Sequence, residues 1–259
     1  MAVLGPDGGA NDDATPAVGE WGPPEYVLNV NTAADELTPS ASADHLRLYF
    51  SRGGDIYMAS RNDPQGTWGF AARVPALATV TEVETSPEES PDGLELYVTI
   101  NNRLHRATRS ALGDPWGAPL LLFPDSARSP AVGGGGLALY YVGGAWTVKR
   151  RTRPSLDAAW GDPSDVAIPG APAYDAVSVS ADELKLVLSS AVNNEQPQVI
   201  ELSRATTAAP WGDIREAASL TRLQPTPRDC DFFSDADTMY CALSDGTGYN
   251  VFAVHRQLR

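Results

Sequence analysis

Basic residues and cysteines are scarce in this chain, and long apolar runs are missing. Nineteen Lys and Arg stand against 33 Asp and Glu in 259 residues, a formal charge of −14. That field repels nucleic acid and anionic membrane surfaces, while cationic partners and metal ions remain admissible. No run approaches the roughly 18 apolar residues of a membrane-spanning helix, so no transmembrane segment is expected. The three histidines and two cysteines do not cluster, which leaves a zinc site without support. Residues 1–20 are Gly, Pro, Ala and Asp with almost no bulky apolar side chains, and such a composition cannot offset the entropy of ordering. They also lack the charged start and apolar core of a signal peptide. Residues 1–20 therefore read as a flexible tail or linker and 21–259 as one domain. Two locations stay open, intracellular or exported, with periplasmic, lipoprotein-tethered or secreted the preferred expectation and the export signal absent from this sequence.

What is abundant is repetition. Trp-Gly occurs at Trp21, Trp68, Trp116, Trp160 and Trp211, at separations of 47, 48, 44 and 51 residues. A turn keeps the same beat at Asp44, Asp92, Gly135, Asp182 and Asp235. Four residues beyond each comes Leu48, Leu96, Leu139, Leu186 or Met239, followed by Tyr in every copy except Val187. A basic residue closes the next strand, at Arg61, Arg109, Arg150 or Arg151, Arg204 and Arg256. Short strands repeating every 40 to 50 residues are the signature of propeller blades, which bury their faces only against one another. The last copy stops before any Trp-Gly, whereas Trp21 and the run Tyr26–Val30 precede the first. The fold class expected is therefore all-β, a five-bladed β-propeller of four-stranded antiparallel blades, closed by the N-terminal strand pairing into the last blade.

Most single residues that invite a chemical reading have a plainer one. His45 lies in a turn, and His105 fills the slot taken by Tyr57, Trp146 and Phe252 in other copies, an aromatic packing position. Gly133–Gly136 lies between two strands with no Lys-Ser/Thr after it, so it reads as a flexible turn and not a phosphate loop. Blade four has the longest insertions, 193–198 and 206–210, where binding residues collect on a rigid ring. Asp229, Asp231, Asp235 and Asp237 resemble calcium-loop spacing but lack the Gly and distal Glu of an EF-hand. They are expected to be solvated strand and turn carboxylates. No cofactor is implied, with calcium possible.

The copies TPSASADHLRLYFSRGGDIYMASR in blade one and SPDGLELY in blade two resemble the WD40-like (PD40) repeats of TolB- and tricorn-type β-propellers. The resemblance covers essentially everything after Trp21, with fewer blades than TolB's domain. It implies a propeller, often of the bacterial envelope, that binds peptides or proteins across one face; the repeated residues are structural and carry no function with them.

Aligned on the aspartate turn, the starts of the first strands and the middle turns bring Glu36, Arg52, Glu84, Asn101, Arg128, Tyr174, Asp175, Asn193, Arg228 and Asp229 toward one mouth of the ring. Two functions fit. The first is a non-catalytic binding module recognising a protein, peptide, glycan or small ligand there, expected as a monomer. The second is a glycoside hydrolase or lyase-like enzyme with Glu36, Glu84 and Asp229, and Asp175 in reserve, as acid, base and tuning carboxylates, which requires a carboxyl pair about 5 to 9 Å apart. A bland structural spacer is a third possibility.

A turn at 234–237 would set antiparallel partners whose numbers sum to 471, and Cys230 and Cys241 meet that sum. Opposed residues lie within disulfide reach, so a Cys230–Cys241 bond is expected, with two buried thiols as the alternative. A lasting bond would favour an exported protein.

Overall fold

The computed structural model describes residues 19–79, 81–169, 173–190, 198–216, 228–232, 237–244, 246 and 248–257. Strand β1 (Glu25–Tyr26) comes first. Blade one follows as β2 (Glu36–Ala41), β3 (Arg47–Arg52), β4 (Asp55–Ser60) and β5 (Ala72–Arg73). Blade two is β6 (Glu84–Glu89), β7 (Glu95–Ile100), β8 (Arg103–Thr108) and β9 (Leu120–Leu121). Blade three is β10 (Ala127–Gly133), β11 (Ala138–Gly143), β12 (Val148–Thr152) and β13 (Ser164–Asp165). Blade four is β14 (Ala176–Val179), β15 (Lys185–Ser190), β16 (Gln198–Ser203) and β17 (Gly212–Glu216). Blade five is β18 (Arg228–Phe232), β19 (Thr238–Ser244) and β20 (Tyr249–His255), and β1 completes it, so the order is β1-β20-β19-β18. The first strands touch in sequence around an axis, β2 to β6 to β10 to β14 to β18, and β18 touches β2. The chain is a five-bladed β-propeller closed by its N-terminal strand.

The recurring motif is a set of local locks. Ser42 donates its hydroxyl to Asp44 (2.6 Å), whose carboxylate accepts the Leu46 N–H, and Ser90–Asp92 and Ser180–Asp182 repeat the turn. The arginine closing each third strand lies flat on the blade's tryptophan, Arg61 on Trp68 at 4.0 Å and Arg109 on Trp116 at 4.1 Å. Its Nε donates back to the turn, to the carbonyls of His45 and Gly93. In blade three this residue is Arg153, on Trp160 and the Gly136 carbonyl, and not Arg150 or Arg151. The turn Gly143–Trp146 adds one residue between the second and third strands, Leu139 pairing with Arg151 where Leu48 pairs with Ala59, which displaced the sequence assignment. The same turn takes Trp146 out of the slot of His105 and Tyr57; Lys149 pairs there with Tyr141. The repeated tyrosine belongs to the next interface: Tyr97 meets Trp160 edge-on at 6.3 Å, and Tyr240 meets Trp68 at 6.2 Å.

Gly133 and Gly134 make room for a neighbour. A Cβ on either would lie 2.9 or 2.7 Å from Glu183 of blade four, whose carboxylate accepts from Tyr140 and Arg150 of blade three. The glycine run is thus an interface device.

In blade five Asp231 faces Tyr240 and Phe232 faces Met239, while Arg228 faces Ala242 after a shift of register. Cys230 and Cys241 are joined by a disulfide, with Cα atoms 4.1 Å apart. Replacing both by alanine is expected to cost about 3 kcal/mol, the loop-closure value for a ring of about ten residues. For a chain this size that lowers Tm by roughly 6–12 °C. Thermal melts of oxidised protein and variant check it, and coincident curves would show the bond adds nothing.

Gly19 and Glu20, assigned from sequence to the tail, hydrogen-bond through their backbones with Gln257; residues 1–18 lie outside the described residues.

Candidate functional site

The first strands do not run straight past the axis. Register shifts fall between Leu37 and Ser40, Thr85 and Glu88, Arg128 and Ala131, and Arg228 and Asp231. At these bulges Thr38, Ser86, Ser129 and Asp229 take φ of 49, 49, 49 and 47°, left-handed backbone that costs a non-glycine residue about 1 kcal/mol or more. The bulges turn polar groups toward the adjoining blade: Thr38 Oγ1 accepts the Ser86 N–H at 3.0 Å, and Ser129 Oγ accepts the Val177 N–H at 3.1 Å. Blade four has no bulge and pairs Val177 with Leu188 directly.

The axis itself is narrow. The bulge residues with Ser40, Glu88 and Asp231 line a cavity of about 30 Å³, room for one or two waters. Glu88 is fastened there by the Ser40 hydroxyl (2.7 Å) and the Val132 N–H (3.0 Å), and Ser178 donates to Asp231 at 2.5 Å. Burial first, then the Asp231 charge, holds the Glu88 carboxyl well above the usual carboxylate range. Neither residue was singled out as axial by the sequence, and Asp231 is a half-buried channel residue and not a solvated strand carboxylate. Their only sequence signal is alignment on the aspartate turn, which puts Ser40, Glu88, Ala131, Ser178 and Asp231 in one slot.

A carboxyl whose pKa is raised by folding stabilises the native state at low pH and does so less as pH climbs from about 4.3 toward its own value. Glu88→Gln is therefore expected to gain on the order of 1 kcal/mol at pH 7, about 2–4 °C in Tm. The gain should vanish near pH 4. Melting curves at the two pH values check it, and an equal or lower Tm for the variant at pH 7 would refute it.

The sequence-predicted residues fall into separate groups. Glu36 is buried, accepts from Arg52 (2.8 Å) and the Thr32 hydroxyl (2.6 Å), and is a latch on the loop before β2. Arg52 also stacks on Tyr57 at 4.4 Å. Glu84 is equally buried; Thr79 donates both its N–H and hydroxyl to Oε1, Oε2 has no partner, and burial raises its pKa. Neither Glu36 nor Glu84 lines the axial cavity, and Asp229 does. Asn101 is an exposed turn residue at φ 49° bonded to Glu82. Of Arg228 only the backbone pairing is described, and Asn193 lies outside the described residues.

Arg128, Tyr174 and Asp175 come together where blades three and four meet. Arg128 lies over the ring of Trp146 at 3.4 Å, and the Trp146 carbonyl accepts the Tyr174 N–H at 3.0 Å. Desolvation pushes the Arg128 pKa down, against the pull of the Asp175 charge. Trp146 is 39% exposed. It was read from sequence as a packing residue. Elsewhere, an apolar cleft of about 570 Å³ opens on the rim between blades one and two beside Met58, Leu112 and Trp116. Of its four arginines, Arg47 and Arg109 are spent on Glu89 and Arg73 pairs with Asp55, while Arg61 lies on Trp68. Among the described residues no group of three or more His, Cys, Asp or Glu is placed to hold a metal, and no helix is long and apolar enough to cross a membrane.

Ring, closure and narrow axis define the class as a five-bladed β-propeller. No family model matches the sequence, the WD40-like repeat models included, and no curated protein is recognisably similar to it. Solved structures are similar in fold. A GH62 α-L-arabinofuranosidase catalytic domain from Coprinopsis cinerea aligns with TM-score 0.61 at 10% identity, over 93% of this chain and 98% of that one. A TolB-type structure from Agrobacterium tumefaciens aligns with TM-score 0.52 at 15% identity, over 88% and 85%. TolB from Acinetobacter baumannii gives TM-score 0.54 at 15% identity, over 87% of this chain and 56% of that one.

Proposed function

We propose that the protein is a non-catalytic binding module whose peptide or glycan ligand docks at the mouth of the ring, on the side of blades three and four. The observation that carries this reading is the closed axis. A space of about 30 Å³ admits water and no sugar ring, and of its carboxylates Glu88 is already held by Ser40 and Val132 and Asp231 by Ser178. A glycosidase needs two carboxyls flanking a sugar with one free to take or give a proton. Glu36 and Glu84 are buried and outside the cavity, which weighs against that alternative. What the mouth offers is an aromatic and an arginine side by side, the residue types on which binding energy concentrates. The fold likeness to TolB and to the GH62 enzyme is compatible with either reading. Peptide and glycan arrays probed with the full chain, with and without calcium, test the proposal. Saturable binding to a peptide or glycan is expected, and hydrolysis of an arabinofuranoside at an enzymatic rate would overturn it.

A further inference from the structure

We infer that Arg128 is the anchor of that mouth, a guanidinium held ready for one carboxylate of a peptide that also carries basic groups. The inference rests on the mouth being the binding face.

An arginine on a tryptophan is the commonest device in this molecule, so the comparison with its siblings decides what Arg128 is for. Arg61, Arg109, Arg153 and Arg204 each stack on a tryptophan at 4.0 to 4.5 Å, and each donates its Nε to a backbone carbonyl. They are satisfied structural latches. Arg256 stacks on Trp21 at 4.2 Å and its Nε too is buried without a hydrogen bond, but its other two nitrogens donate to the Gly19 carbonyl and to Glu201. Arg128 stacks more closely, at 3.4 Å, yet among the described residues its guanidinium makes no hydrogen bond and no ion pair, and its Nε is buried without a hydrogen-bond partner. The Nε–H of this half-buried guanidinium has lost its hydration with no hydrogen bond in return, and burial accordingly disfavours the charge. The support beneath it is strained as well. Ala145 and Trp146 are consecutive non-glycine residues at φ 57 and 60°, a conformation that costs about 1–3 kcal/mol per residue and collects at binding sites.

The ligand's chemistry follows from charge and shape. A planar guanidinium fixed by stacking matches a carboxylate through two parallel N–H···O bonds. The chain's charge of −14 and the neighbouring Asp175 oppose a dianion or a polyanion, so one carboxylate suits the site and a polyuronate does not. Basic groups beside that carboxylate would meet the field of a chain of charge −14, and a peptide supplies both signs in one segment.

The test uses the full chain against three immobilised probes: Lys-containing hexapeptides with a free C-terminal carboxylate and Asp or Glu in the sequence, the same peptides amidated with Asn and Gln replacing the acids, and oligogalacturonate. The best peptide is then titrated by calorimetry into wild type, Arg128→Gln and Arg128→Lys. Replacing the carboxylate by amide is expected to weaken wild-type binding about 10- to 100-fold. Arg128→Gln should cost the same and bind both peptides alike, with Tm within about 3 °C of wild type. Arg128→Lys should recover only part, having no bidentate fork. Peptide binding indifferent to Arg128 and to the carboxylate would overturn the anchor while leaving the binding module standing. Arg128-dependent binding of oligogalacturonate in place of peptide would overturn the peptide assignment. Binding to no array at all would overturn the functional reading itself, and the anchor with it.

Discussion

Removing residues 1–30 is expected to leave a chain that does not melt cooperatively and aggregates at working concentration. The segment carries the fourth strand of the last blade. Glu25 and Tyr26 pair with Ala253 and Phe252, and Trp21, 1% exposed, bridges to Arg256 and receives its guanidinium at 4.2 Å. Val27 and Val30 are buried against Leu48 and Phe50 of blade one and Val251 of blade five, so they join the first and last blades. A buried tryptophan alone contributes about 3–5 kcal/mol, and the valines and strand pairing bring the loss to the order of 5–10 kcal/mol. That is comparable with the entire stability of a domain, about 5–15 kcal/mol. It also exposes β20 as an unpaired edge, a template for association. Circular dichroism melts and size-exclusion profiles of the truncated and full chains decide it. A truncated chain with the parent's Tm and elution volume would show that the ring is not closed by this strand.

Glu95→Ala is expected to be the most damaging single substitution away from the closure. Glu95 of blade two takes Arg153 of blade three in a bidentate pair (2.6 and 3.1 Å), with Arg106 at 2.8 Å and the Tyr97 hydroxyl at 2.7 Å on the same carboxylate. The Arg153 side chain is fully buried, so removing its partner strands a charge in the interface. Such a loss costs about 3–5 kcal/mol, or roughly 6–20 °C in Tm. Glu95→Gln should cost less, because it keeps the shape and an acceptor. Denaturant unfolding at pH 7 measures both, and a change under about 1 kcal/mol for the alanine variant would mean that the pair contributes little. The pH dependence adds a second signature. Burial alone would raise the Glu95 pKa, but Arg153, Tyr97 and Arg106 hold it below its ordinary value. Its stabilisation is therefore complete above about pH 4.3 and fades as pH falls through the folded-state value. Wild type should lose stability more steeply than Glu95→Ala on acidification in that range. The direction is opposite to that for Glu88, whose contribution weakens as pH rises.

The fold was legible because its determinants are local and repeated. Ser42, Ser90 and Ser180 with their aspartates make a turn within a few residues, and Leu48–Tyr49–Phe50 alternates between two interfaces. Leu48 and Phe50 lie against blade five, and Tyr49 against blade two. Five copies of such signals, with one strand short at the end and one over at the start, specify the ring and its closure.

The candidate site was only partly legible. Arg128, Tyr174 and Asp175 were visible as polar residues aligned at one mouth, but not the partner Trp146, whose insertion moved it from its aligned slot to a strained turn. Glu36 and Glu84 were read as axial from their place at the entries of the first strands, aligned on the aspartate turn. A bulge adds a residue and reverses which face the following side chains take. That shift puts Glu88 and Asp231 on the channel while Glu36 and Glu84 form latches off it. The sequence by itself determined the number of blades, the turns and the strand that closes them, because each follows from chemistry within one repeat. Only the tertiary structure decided which carboxylates meet at the axis and which tryptophan-stacked arginine keeps a guanidinium without a hydrogen bond, because those depend on side chains from different blades converging across bulges that local spacing does not register.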